Sequence, residues 1–352
     1  MKKIHKLALM AIIAVLAATG CGNGNKSGGS SAKPAESAAG ASSAASGKTL
    51  KIGLVTDVTG VNDKAFSQLA WEALTKAKAD LGVEVKYLES KTDADFVSNL
   101  SQFVKNGYDL TWGTGFVMSD AVQKVAKENP NTKLAIVDNE VKEPNVRSVL
   151  FSEQEGSFLV GVIAGLMTKT NKVGFVGGME IPVIAKFEAG FKAGVSAVNP
   201  EAKVIINYTG AFDKPDLGKA AASVIYNDGA DIIFHAASAT GAGVFNEAKD
   251  RFQKGQRVWV IGVDRDQSLE YGDDITLTSM MKRVDEAVYR VTKELNEGSF
   301  EGGTTLQLGL KENGVGIADT SSKNVPADVL AKVEAYKQKI IGGEIQIQIP
   351  QK

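Results

Sequence analysis

Three apolar runs of the sequence each finish on an aspartate: Thr56-Asp57, Ile136-Val137-Asp138 and Gly262-Val263-Asp264. A carboxylate offers two oxygens to hydrogen-bond donors, so a group of three suits a ligand with adjacent hydroxyls, such as a sugar. The plainer role is helix capping. Asp57 fits either role, whereas Asp138 and Asp264 precede stretches with no immediate helical pattern and are freer to meet a ligand. Lys282, after Ser279-Met280-Met281, closes a further apolar run and is the natural cation beside these aspartates, although most lysines simply face solvent. Two carboxyls ~5–9.5 Å apart would also serve a glycosidase.

Aromatic residues make up only 7% of the chain, so a ring in a loop carries more weight than one on a helix face. Phe212 lies in the turn-rich stretch Thr209-Gly210-Ala211-Phe212-Asp213-Lys214-Pro215, where a core role is hard to arrange. Phe66 opens an amphipathic stretch and fits the core or a binding face equally well. Rings on opposite sides of a cleft could hold a flat base, at about 1–3 kcal/mol for each stacking contact. Trp112 and Phe116, which bracket Gly113-Thr114-Gly115, are weaker candidates of the same kind.

Other chemistries lack their parts. The chain has one Cys and two His, which excludes a disulfide framework and leaves no ligand set for a metal. No cofactor is expected: no G-x-G-x-x-G follows a strand pattern, and Gly47-Lys48-Thr49 lacks the glycine that a phosphate loop needs five residues earlier, where Ser42 stands. With 40 basic against 41 acidic residues there is no electrostatic footprint for nucleic acid.

The amino terminus explains part of this composition. Lys2, Lys3 and Lys6 precede the uncharged apolar run Leu7 to Ala18, the pattern of a secretory signal over residues 1–20. Small residues then lead into the single cysteine, Cys21, a candidate lipidation site, and 20 of the 26 residues from Gly22 to Gly47 are Gly, Ser or Ala. Residues 21–47 thus read as a flexible tether with a reach of about 28 Å by the ~5–6 Å × √n rule. Two acyl chains on Cys21 would suffice for stable anchoring. Cleavage before Cys21 would leave His235 as the last histidine, which nearly excludes a Ser-His-Asp triad or a two-His metal ligand set.

The elements that must position the aspartates alternate after Lys48. β-branched runs begin at Leu50, Val83, Tyr108, Lys133, Val173, Val204, Asp231 and Val258, separated by stretches of helical period. Phe66, Leu69, Ala70, Ala73, Leu74 and Ala77 share one helix face, opened near Asn62 or Asp63. Asn106-Gly107 reads as a left-handed cap. The very apolar stretch Glu153 to Met167 is expected to be a buried helix, since its unbroken apolar part, Phe158 to Met167, is about half what a bilayer needs. The fold class is therefore α/β, with two doubly wound lobes and a cleft at the carboxyl ends of both sheets. We assign residues 48–150 plus about 266–298 to the first lobe and 151–265 plus about 299–352 to the second.

Several segments resemble the basic membrane protein family of lipoproteins. They are Gly53-Leu54-Val55-Thr56-Asp57 with Asn62-Asp63-Lys64-Ala65-Phe66-Ser67, then Phe151-Ser152-Glu153-Gln154-Glu155-Gly156-Ser157-Phe158, Gly177-Gly178-Met179-Glu180-Ile181-Pro182, Val260 to Gln267 and Thr278 to Lys282, in order along the chain. The family includes purine nucleoside receptors, the substrate-binding lipoproteins of ABC importers. The resemblance implies a type I periplasmic-binding fold with a hinge, in which Phe66 and Phe212 stack on a purine while Asp138, Asp264 and Lys282 hold the ribose. Beside the first ring the family usually carries an asparagine that helps read the base. This chain has Ser67 there, so the choice of base stays open. His235, followed by Ala236-Ala237-Ser238, also departs from the family pattern and is expected to line the pocket or cap the next helix.

The expectation is a monomeric, non-catalytic receptor, anchored on the extracytoplasmic face of the cell membrane, that hands a purine nucleoside to an ABC permease. A sugar or signalling-molecule binder of the same fold is the alternative, followed by a glycosidase or nucleoside hydrolase.

Overall fold

The computed structural model describes residues 48–349. The expected signal, Cys21 and tether lie outside the described residues. Each apolar, β-branched run becomes a strand of one of two six-stranded sheets. The first contains β1 (Lys51–Thr56), β2 (Glu84–Glu89), β3 (Leu110–Thr114), β4 (Leu134–Val137) and β5 (Val146–Phe151). The second contains β6 (Lys172–Gly177), β7 (Lys203–Tyr208), β8 (Ile232–Ala236), β9 (Trp259–Asp264) and β10 (Thr276–Lys282). Each sheet gains one late strand, β11 (Thr304–Leu308) in the first and β12 (Val315–Ile317) in the second.

The orders are β11-β5-β4-β3-β1-β2 and β12-β10-β9-β8-β6-β7, so the second half of the chain repeats the winding of the first. All pairings are parallel except that of β10 with β12. A parallel sheet needs both faces covered, which is why β3 and β4 are apolar and buried from end to end. On the first sheet α1 (Phe66–Leu81) and α9 (Val284–Asn296) cover one face, and α2 (Asp95–Lys105) and α3 (Ser119–Glu128) the other. On the second, α4 (Glu153–Met167) and α5 (Pro182–Val198) cover one face, and α6 (Pro215–Asn227) and α7 (Gly241–Gln253) the other. The short α8 (Ser268–Tyr271) and α10 (Ala327–Ile341) complete the second lobe.

Local signals place the helix ends as expected. Gly107 adopts φ 68° just beyond α2, and Gly82 ends α1 in the left-handed region. Proline opens α5 and α6, where its missing N–H is harmless. Eleven of the 15 residues of α4 are buried. A Cβ on Gly194 of α5 would sit 2.1 Å from the Phe158 carbonyl oxygen, so α4 and α5 touch backbone to backbone. Among the described residues no helix is long and apolar enough to cross a membrane.

The crossings between lobes correct one expectation. β10, expected in the first lobe, pairs with β9 in the second sheet, and β11, expected in the second, pairs with β5 in the first. The reason lies in their burial. β10 is nearly all buried, as an internal strand must be, whereas Thr304 and Thr305 of β11 are exposed on an outer strand. The helix α9 does pack on α1 in the first lobe, within the range expected for it.

Candidate functional site

The loops that leave the carboxyl ends of the strands converge from both sheets on one cavity with about 550 Å³ of empty space. From the first sheet come Asp57 after β1, Phe66 at the start of α1, Phe116 after β3 and Asp138 after β4. From the second come Phe212 between β7 and α6, Ser238 after β8, Asp264 ending β9 and Lys282 ending β10. Seven of the residues singled out from sequence thus line one space: Asp57, Phe66, Phe116, Asp138, Phe212, Asp264 and Lys282.

Lys282 organises its floor. Its Nζ lies 2.7 Å from both carboxylate oxygens of Asp138 and 3.1 Å from Glu153 Oε1. The rings of Phe66 and Phe151 stand 5.1 Å from it and Phe187 5.6 Å. Burial alone would lower the lysine pKa. The charges of Asp138, Glu153 and Asp264 outweigh burial and raise it, so the ammonium stays charged. The Lys282–Asp138 pair joins the second sheet to the first. Glu153 is held in turn by Lys186, whose Nζ is 3.1 Å from Oε2.

The remaining carboxylates are less well paired. Burial, opposed by Lys282 and reinforced by Asp63, Asp138 and Glu153, pushes Asp264 up to about 7, and its side chain has no hydrogen-bond partner among the described residues. Burial pushes Asp57 up to about 6, although the hydroxyl and amide of Thr59 donate to its Oδ1 at 2.6 and 3.0 Å. Burial raises Asp138 as well, with Lys282 opposing and Glu153 adding to the rise. Asp138 and Asp264 hold φ of 74° and 67°, the left-handed region that aspartate tolerates better than most residues. Two such residues at strand ends that line the same cavity are backbone strain kept where ligands bind.

Phe66 and Phe212 come from different lobes. Phe66 is fixed because the buried Asp63 carboxylate accepts the N–H groups of Ala65, Ser67 and Gln68, capping the helix from the position expected. Phe212 lies against Gly178, where a Cβ would meet the ring at 2.2 Å. The lobes also meet around the cavity. Ser238 Oγ donates to Asp63 at 2.8 Å, Arg265 pairs with Glu72 at 3.1 Å, and Lys64 pairs with Glu270.

Three candidates lie elsewhere. Trp112 is wholly buried in the core beneath α1 and α9, because an internal strand of a covered sheet offers no solvent side. Ser67 is wholly buried behind Phe66, its Oγ 3.3 Å from Thr59 Oγ1. His235 neither lines the cavity nor caps a helix. Its Nε2 meets Gln267 Oε1 at 2.8 Å, and burial lowers its pKa to about 4, which keeps it neutral. Sequence reasoning missed Glu153, Ser238 and the apolar wall of Ile181, Val183, Ile184 and Phe187. The signal available for the wall was the run Ile181-Pro182-Val183-Ile184, two residues beyond a strand that ends in a glycine pair.

Residues 50–351 match the family Bmp, described as ABC transporter substrate-binding protein PnrA-like. The chain is 47% identical over 316 residues to the CD4+ T-cell-stimulating antigen of Listeria monocytogenes, covering 85% of this chain and 88% of that protein. It is 37% identical over 316 residues to the ABC transporter nucleoside-binding protein BmpA of Lactococcus lactis, covering 85% and 89%. The crystal structure of an ABC transporter solute-binding protein from Aeropyrum pernix superposes with a TM-score of 0.79 at 31% identity, over 86% of this chain and 94% of that one. The two-sheet architecture is thus that of type I periplasmic-binding proteins.

Proposed function

The chain belongs to the PnrA-like Bmp family of ABC transporter substrate-binding proteins, and from that premise we propose that it binds a purine nucleoside between its lobes and delivers it to a permease. What carries the reading is one cavity in which rings from opposite lobes, Phe66 and Phe212, share the lining with Asp138, Asp264 and Lys282. A purine fits between flat apolar faces, and ribose hydroxyls supply the donors that the carboxylates lack. Lys282 is already paired with Asp138, so the hydroxyls enter a neutralised network rather than a bare acid cluster. The nucleoside-binding name of the Lactococcus relative points the same way.

Closure follows from the same contacts. A ligand shifts the open and closed forms only by what it gains in one and not in the other. A base touching both rings gains its second contact only when the lobes meet, and the Ser238–Asp63 and Arg265–Glu72 contacts form at the same time. The protein's task on this reading is binding alone, with no bond made or broken in the ligand. We place the protein on the extracytoplasmic face of the cell membrane, held by lipidated Cys21, and working as a monomer.

A thermal-shift panel on protein unfolded and refolded to remove copurified ligand tests this. A ligand at 100 times its Kd stabilises by about 2.7 kcal/mol, enough to raise Tm by about 5 °C. A rise with inosine, guanosine or adenosine but not with ribose supports the reading. A rise with ribose or another sugar would replace it with a sugar receptor, and release of free base during incubation would replace it with a hydrolase.

A further inference from the structure

The two hydroxyls behind Phe66 have a directional arrangement. Thr59 Oγ1 lies 2.6 Å from Asp57 Oδ1, and a carboxylate cannot donate, so the threonine proton points at the aspartate. Thr59 Oγ1 is then free only to accept, and Ser67 Oγ at 3.3 Å must be its donor. The Thr59 amide also donates to Oδ1, at 3.0 Å. Both donors therefore occupy one oxygen of Asp57 and leave Oδ2 without a hydrogen-bond partner among the described residues. A Cβ built on Gly115, which lines the cavity, would sit 3.6 Å from that Oδ2 and 3.9 Å from Phe66 Cε1. The free oxygen thus belongs to the stretch of cavity wall where Gly115 approaches both Asp57 and Phe66. A second side chain near this end, Ser238, has its proton committed to Asp63 and can offer the cavity only a lone pair.

We propose that Thr59 and Ser67 are positioning residues whose hydroxyl relay holds Asp57 as an acceptor toward the ligand, so that the receptor selects purine bases presenting an N–H there. The inference rests on the nucleoside reading and deepens it by naming the class of base. It also gives Ser67 a role without contact to the ligand. A charge-assisted hydrogen bond contributes ~1.5–3 kcal/mol, or roughly 10–100-fold in affinity.

The test compares inosine, whose six-membered ring carries an N–H, with purine riboside, whose ring carries none, on the purified full chain stripped of ligand. The unaltered protein should bind inosine at least ~10-fold more tightly at about pH 7.5. Thr59→Val should remove most of that preference and Ser67→Ala part of it, while purine riboside binds both variants as before, which also shows that they fold. A second readout is the pH profile. Asp57, at about 6, loses its acceptor as pH falls. Thr59→Val removes a hydrogen bond that lowers this value, so the loss of inosine affinity should begin at higher pH. Asp63 and Asp213, the other charges facing Asp57, act alike in both proteins. Unchanged inosine preference in both variants overturns the relay, as does an equal fall for both nucleosides. Binding of neither nucleoside by the unaltered chain overturns the nucleoside reading itself and the relay with it.

Discussion

Replacing Asp264 by Asn should make the empty protein more stable while it ruins binding. Burial pushes the Asp264 carboxyl from an ordinary 3.8 up to about 7. The folded state therefore holds that proton more tightly than the unfolded chain, so its stability is highest below about pH 4 and falls as pH rises toward 7. At ~1.36 kcal/mol for each pH unit of separation the difference sets a ceiling of roughly 4 kcal/mol on what the charge takes from stability at about pH 8. Relaxation and water entry reduce this, and we expect about half. Asparagine keeps the shape and removes the charge, so Tm at about pH 8 should rise by roughly 4–8 °C. At about pH 5 the native carboxyl is already neutral but the unfolded one is still mostly ionised, so the gain should shrink to less than half, and it vanishes only below about pH 4. Affinity for the nucleoside should drop ~10–100-fold through loss of a charged acceptor. Calorimetric melts at both pH values read the first effect and a binding titration the second. A gain equal at the two pH values, or none at pH 8, would refute the argument that the carboxylate is held against its own preference.

Lys282→Met leaves Asp138 and Glu153 buried without their shared cation; urea titration at neutral pH should show ~3–5 kcal/mol of destabilisation, shrinking in acid as Asp138, whose pKa burial already raises, takes up a proton. Phe212→Ala should weaken purine nucleoside binding by ~1–3 kcal/mol with little change in Tm, since the ring is only partly buried; equal weakening for a sugar ligand would remove the base from the account. Gly178→Ala places a Cβ 2.2 Å from the Phe212 ring and must turn it away, so a titration should show lost nucleoside affinity at a position that carries no side chain of its own.

Most of the fold and the centre of the site could be read from sequence because both are local facts. A strand in a covered parallel sheet must be an unbroken apolar run, so Asp57, Asp138 and Asp264 could be found at the ends of such runs, and Phe212 stood out in a turn that gives a ring nothing to pack on. What was misread depends on partners distant in sequence. β10 and β11 look alike as isolated runs, and the free edge each one meets decides its sheet. Exposed Thr304 and Thr305 were the clue that β11 is an outer strand. Trp112 and His235 lie inside strands close to the ends that carry cavity-lining residues, but alternation turns Trp112 into the core, and Gln267 holds His235 from a different loop. Glu153 reads as a first-turn acid on a helix; only the fold brings Lys282 to within 3.1 Å of it.

The central claim is that Phe66 and Phe212 close on a purine nucleoside. Isothermal titration of refolded, ligand-free protein with inosine and with ribose tests it most directly. The expected result is one inosine bound per chain, a negative heat-capacity change from burial of the base between apolar faces, and no saturable heat with ribose. Saturable binding of ribose as tight as that of inosine, or no heat with any purine nucleoside, would contradict it.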